Sequence, residues 1–104
     1  MADPYAINLT DQATRHLDGL SRYAQRIVLD GIELHLCHQP MQESRRIKLM
    51  RVNPVASWEL RLGDYRVLYD VAEEERSVNV LVVGEKRGNQ LHVLGKEYTA
   101  HESD

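Results

Sequence analysis

Residues 57–71 read S-W-E-L-R-L-G-D-Y-R-V-L-Y-D-V, two alternating runs on either side of Gly63-Asp64. That dipeptide predicts a two-residue hairpin, with Gly63 at the first central position of a type II′ turn. The turn sets the register: Leu62 opposite Tyr65, Arg61 opposite Arg66, Leu60 opposite Val67, Trp58 opposite Tyr69. One face then carries Trp58, Leu60, Leu62, Tyr65, Val67 and Tyr69, all apolar or amphipathic. The other carries Glu59, Arg61, Arg66, Leu68 and Asp70. Like charges directly opposite each other destabilise a sheet by roughly a few tenths of a kcal/mol. Arg61 facing Arg66 therefore marks a place where an anion is expected.

Working outward, Ala72-Glu73-Glu74-Glu75-Arg76-Ser77 is a polar connection. A four-residue loop over 73–76 places Val71 opposite Val78, so that Val78, Val80 and Val82 join the apolar face. Asn79, Leu81, Val83, Glu85 and Arg87 fall on the arginine face, giving Arg61, Arg66 and Arg87 around a small apolar patch. A one-residue slip would reverse these assignments. Three strands agreeing on one apolar face argue against it.

Towards the N-terminus, Tyr5, Ile7 and Leu9 alternate with polar or small residues and predict a short strand over 4–9. Thr10 or Asp11 is the N-cap of a first helix carrying Ala13, Leu17 and Leu20. A second helix starts near Tyr23, buries Ala24, Ile27, Val28, Gly31 and Ile32, and stops before Pro40, because the residue ahead of a proline avoids helical angles. Helices joined this tightly form a hairpin that can cover one sheet face. Residues 39–56 are expected to be a long loop, and such loops tend to be functional or mobile. Gly88-Asn89 reads as a turn, Gln90–Leu94 as an optional last strand broken by Gly95, and the remainder, including 99–104, as a polar tail. The expected architecture is α+β: an N-terminal strand, a helical hairpin, then a three- to four-stranded antiparallel sheet packed on the helices.

The 104 residues suit one domain with a single core. No apolar run approaches the roughly 18 residues of a membrane span, and M-A-D-P-Y-A lacks the basic and apolar regions of a signal peptide. With one cysteine, Cys37, there is no internal disulfide framework. A cytoplasmic protein is expected, with no membrane partner. The net charge is −3, but six basic residues against two acidic ones leave +4 between Ser44 and Arg66 and −7 elsewhere. Exposed charges beyond about 10 Å are largely screened at 0.1 M salt, so a local phosphate-binding surface can sit on an acidic body. The competing reading is a solvated basic loop.

A strand, a helical hairpin, W-E-L-R-L-G-D-Y-R-V-L-Y-D-V, an acidic turn and V-N-V-L-V-V-G-E-K-R together resemble the RelE/ParE superfamily of bacterial toxins over about residues 5–94. The resemblance implies a type II toxin–antitoxin toxin. For RelE-type members it implies a metal-independent, ribosome-associated mRNA endoribonuclease, in which a ribose 2′-hydroxyl attacks the adjacent phosphate. It carries Arg66 over as the sheet arginine, Arg61 as a basic residue of the preceding strand, and Lys86 or Arg87 as the basic residue after V-G. Tyr98 stands for the late tyrosine. Glu59 departs from the pattern where such enzymes often have lysine, and a pI near 5.9 departs from their basic character. ParE-type members share the fold and poison DNA gyrase without catalysis. A non-toxic divergent member acting as a binding partner is the third reading. A cognate antitoxin, and mRNA with the ribosome or else gyrase, are the implied partners.

The candidate catalytic set is thus Arg61, Arg66, Arg87, His92 and Tyr98. Fixed guanidinium groups stabilise the extra charge of a phosphorane without reorganisation. His92, expected to be the only histidine on or beside the sheet, has a side chain suited to acid–base work. Arg45, Arg46, Lys48, Arg51 and Lys86 are the candidate RNA-binding residues. Against these stands an ordinary surface network in which Arg66 pairs with Glu59, Asp70 or Glu85. Helical spacing puts His35 and His38 together but turns Cys37 away, so no metal site is expected. Glu73-Glu74-Glu75 reads as a solvated turn. There is no phosphate-cradling glycine loop or nucleophile elbow, and no cofactor is implied.

Overall fold

The computed structural model describes residues 3–99. In chain order it contains β1 (Ala6–Leu9), α1 (Asp11–Asp18), α2 (Arg22–Leu36), β2 (Ile47–Leu49), β3 (Trp58–Leu62), β4 (Tyr65–Ala72), β5 (Ser77–Arg87), β6 (Gln90–Val93) and β7 (Lys96–Tyr98). The class is α+β as expected, with more strands than the sequence suggests. β2 lies inside the expected 39–56 loop, and β7 is formed by residues expected to be tail. Residues 100–104 of that tail lie outside the described residues.

The sheet runs β2-β3-β4-β5-β6-β7, with β1 parallel to the first half of β5 on the edge that β6 occupies farther along. Both helices start where a hydroxyl can cap them: Thr10 Oγ1 accepts from the Ala13 amide and Ser21 Oγ from the Ala24 amide, each at 3.1 Å. α1 packs on β5 and β1, and α2 on β3 and β4. Between helices and sheet lies the main core, with Val28, Leu36, Leu60, Val67, Tyr69, Val78 and Val80 fully buried. The Tyr69 hydroxyl donates to the Pro40 carbonyl at 2.6 Å, tying the end of the helical segment to the sheet centre.

The β3–β4 register is the expected one, with Arg61 across from Arg66. Gly63 has φ 62°, while Asp64 keeps an ordinary negative φ, as a type II′ turn requires. The β4–β5 register starts as expected, Val71 opposite Val78, and then shifts: Tyr69 faces Val80 but Leu68 faces Val82, leaving Leu81 as a bulged extra residue. Every residue of β5 beyond it changes face. Val83 rather than Val82 joins the main core, and Val82 joins a second cluster with Ala56, Leu68 and Val93 on the other side of the sheet. Arg87 accordingly leaves the arginine face and Lys86 takes its place. The run Val80-Leu81-Val82-Val83 explains how the slip is accommodated: with four apolar residues in a row, either parity presents apolar groups to both clusters.

The second cluster is covered by Met50 and Val55 from the loop after β2 and by Leu91 and Tyr98 from β6 and β7. Gly84 lets β6 close over it, since a Cβ there would lie 2.6 Å from the His92 carbonyl oxygen. No helix of the described residues is long and apolar enough to cross a membrane.

Candidate functional site

The β3–β4 hairpin and the basic loop beside it form a single electropositive surface. Ser44 organises the loop: its hydroxyl accepts from the amides of Arg46 (3.2 Å) and Ile47 (3.1 Å), and its own amide donates to the Ile47 carbonyl (3.0 Å). The Arg61 amide then donates to the Arg46 carbonyl at 2.7 Å, locking that turn against β3. Arg45, Arg46, Arg61, Gly63 and Arg66 consequently line one depression of about 480 Å³. A neighbouring depression of about 290 Å³ is lined by Lys48, Leu49, Met50, Arg51, Asn53, Glu59 and Arg61. Arg51 is held there by Asn53, whose amide donates to the Arg51 and Ala56 carbonyls while its oxygen accepts from the Val55 and Ala56 amides. Arg61 belongs to both depressions and joins them into one basic track.

The arginines differ in their partners. Arg61 Nε lies 2.7 Å from Glu59 Oε1, two residues away on the same face of β3. Arg66 donates instead to the Gly63 (2.6 Å) and Tyr65 (2.9 Å) carbonyls across the turn. The carboxylates that could have neutralised Arg66 are engaged elsewhere: Glu59 with Arg61, Glu85 with Arg87, and Asp70 with the Ser57 amide at 2.6 Å. Among the described residues, Arg45, Arg46, Lys48, Arg51 and Arg66 form no ion pair. The local field registers on His35, whose pKa is lowered by burial and then by the charge of Arg46.

The expected catalytic residues do not all assemble here. Arg61 and Arg66 do. Arg87 lies on the helix side of the sheet beyond the bulge, exposed and 3.3 Å from Glu85. His92, opposite Glu85 on β6, alternates with Leu91 and Val93 and so points away from the arginine face. Its Nδ1 is buried without a hydrogen-bond partner. Tyr98 does share the arginine side of the sheet, opposite Leu91, where it packs against the second cluster and burial raises its pKa. Lys86 stands on that side too, across from Leu91.

A second histidine lies at the sheet. His16, buried on α1, accepts at Nδ1 from the Val83 amide at 3.3 Å, and burial together with Arg15 lowers its pKa. The spacing of Ala13, His16, Leu17 and Leu20 already places it on the buried helical stripe. At the end of α2, Cys37 is the C-cap and His38 falls just beyond the helix, where it lines one small depression together with His35. Among the described residues no group of three His, Cys, Asp or Glu side chains could hold a metal ion.

Helices over one face of a sheet rich in antiparallel pairs define a fold shared with RelE-type toxins. The chain superposes with TM-score 0.72 and 27% identity on a chain of the toxin–antitoxin complex RelBE2 from Mycobacterium tuberculosis, covering 83% of this chain and 95% of that one. The archaeal RelE–RelB complex from Pyrococcus horikoshii OT3 gives 0.63 and 22%, covering 81% and 96%. The isolated E. coli RelE toxin gives 0.62 and 19%, covering 80% and 85%. Among curated protein sequences none matches the chain. The family model of the ParE toxin of type II toxin–antitoxin systems, parDE, matches residues 7–89. The chain belongs to that family, within the RelE/ParE superfamily of toxins.

Proposed function

We propose that this toxin acts on messenger RNA, holding the strand by its phosphates in the arginine depression and cleaving it without a metal ion, on the ribosome. The observation that carries this reading is Arg66, which no described carboxylate neutralises, in a depression shared with Arg45, Arg46 and Arg61. In the reaction, the ribose 2′-oxygen forms a bond to the adjacent phosphorus. The bond to the 5′-oxygen breaks, leaving a 2′,3′-cyclic phosphate and a 5′-hydroxyl. The 2′-hydroxyl proton passes to solvent, and the leaving oxygen takes a proton from Tyr98 or water. Arg66 and Lys86 supply positive charge to the phosphorane, which is how a fixed cation lowers such a barrier. Tyr98 is protonated at neutral pH, and burial raises its pKa further.

Two of the structural relatives are toxin–antitoxin complexes. By analogy a cognate antitoxin is the expected protein partner, with an acidic and apolar segment that covers the arginine face or the helices.

Inhibition of DNA gyrase without catalysis is the second reading. It is favoured by the Glu59–Arg61 pair and by a histidine that faces away from the arginines. Inducing the protein and its Arg66→Ala variant in bacteria separates the two. Growth arrest with cleaved transcripts, abolished by Arg66→Ala, is expected. Arrest with broken DNA and intact transcripts would establish the gyrase reading, and no arrest would point to a non-toxic binding protein.

A further inference from the structure

We propose that Glu59 is a built-in competitor for the phosphate site at Arg61, dividing the basic track into an open subsite and an occluded one. This rests on the reading of the track as a phosphate surface, and adds how that surface is regulated. Arg61 is the one side chain common to both depressions. Of the residues lining them, Glu59 is the only carboxylate, and it binds Arg61 Nε at 2.7 Å. The other basic lining residues, Arg45, Arg46 and Arg66 on one side and Lys48 and Arg51 on the other, have no carboxylate partner among the described residues. Glu59 also stands directly across from Lys48 in the β2–β3 register, so one carboxylate sits between two cations at the waist of the track.

An anion reaching Arg66 meets free donors. One reaching Arg61 meets a guanidinium whose Nε is already held by a charge-matched carboxylate oxygen. The Glu59 side chain is only one-fifth exposed while the Arg61 side chain is nearly half exposed, so Arg61 retains an open side from which a phosphate can approach and compete. A strand presenting a single phosphate therefore stays in the open subsite. A strand presenting consecutive phosphates can bridge both depressions only by paying the exchange at Arg61. The position thus sets how many phosphates the track holds.

Inorganic pyrophosphate is the probe, titrated into the purified protein while the Nε–H resonances of Arg61 and Arg66 are followed by NMR. In the unaltered protein the Arg66 signal is expected to move first and the Arg61 signal to lag. In Glu59→Gln, which keeps size and hydrogen bonding while removing the charge, both should move together, with Arg61 responding at up to about fivefold lower pyrophosphate, the range of a partly exposed ion pair. Equal response of Arg61 in the two proteins would overturn the proposal, as would no response of Arg61 in either. A short oligoribonucleotide tests the underlying reading separately. If it fails to bind while pyrophosphate still separates the variants, the RNA assignment falls and the competition at Arg61 stands. If it binds, Glu59→Gln should tighten binding and steepen its salt dependence by about one phosphate contact.

Discussion

The two faces of the sheet are made from alternate residues of the same strands, yet they are closed differently. On the helix side, α1 and α2 seal a core in which Leu60, Val67, Tyr69, Val78 and Val80 are fully buried. On the other side, a smaller cluster around Leu68 and Val82 is covered by a loop and a short hairpin, and the end nearest the β3–β4 turn is left to arginines. The first face is dictated by packing. The second has only part of its surface committed to packing, and its cations lie where folding does not require them. Arg61 and Arg66 stand opposite each other across the strand pair, an arrangement of like charges that packing alone does not favour.

The largest effect that tests this division is on the helix side. Leu60→Ala empties a fully buried position and is expected to cost about 2–5 kcal/mol, read as a lowered midpoint in denaturant. Arg66→Ala removes two hydrogen bonds to turn carbonyls at a half-buried site and should cost about 1 kcal/mol. If the two variants lost stability equally, the arginine face would be structural and the division wrong.

How much of this was legible in the sequence follows the same line. The hairpin could be read to the residue because Gly63-Asp64 fixes both turn and register, so Arg61, Arg66 and Glu59 were placed with it. The helices were readable from their hydroxyl caps and apolar spacing. β2 and β7 were not, because three residues carry too little alternation to stand out from loop. The face of Arg87 is not legible, because Val80–Val83 is uniformly apolar and hides the bulge at Leu81. His92 reaches the sheet, but its turn away from the arginines depends on strand β6, whose register hangs on the shifted β5. Convergence of Arg45 and Arg46 on Arg66 depends on a loop folded by Ser44, which local spacing does not announce.

A smaller effect, confined again to the helix side, is acid sensitivity. His16 accepts a hydrogen bond from the Val83 amide and must be neutral to do so. Its pKa in the fold lies below 6.5, so the unfolded chain takes up the proton first. Its contribution is therefore intact above about pH 6.5 and is lost as pH falls through the folded pKa. Stability measured between about pH 7 and pH 5 should fall, and His16→Gln should flatten that slope. An unchanged slope in the variant would place the acid sensitivity in other groups.

The smallest effect is also the sharpest test of the bulge. Lys86 and Arg87 are adjacent cations, and only the extra residue at Leu81 decides which of them shares a face with Arg66. With the bulge, Lys86 lies on the arginine side, while Arg87 lies on the helix side against Glu85. Both are exposed, so replacing either should leave stability within about 0.5 kcal/mol. Their effects on anion binding should differ. Lys86→Ala is expected to weaken oligoribonucleotide binding a few-fold and to reduce the slope of log affinity against log salt by about 0.7, the share of one phosphate contact on a single strand. Arg87→Ala should leave both quantities near their original values. The reverse pattern would restore the unbulged register and move Val82 back beneath the helices. That outcome would be visible independently, because Val82→Ala would then loosen the main core in place of the cluster around Leu68.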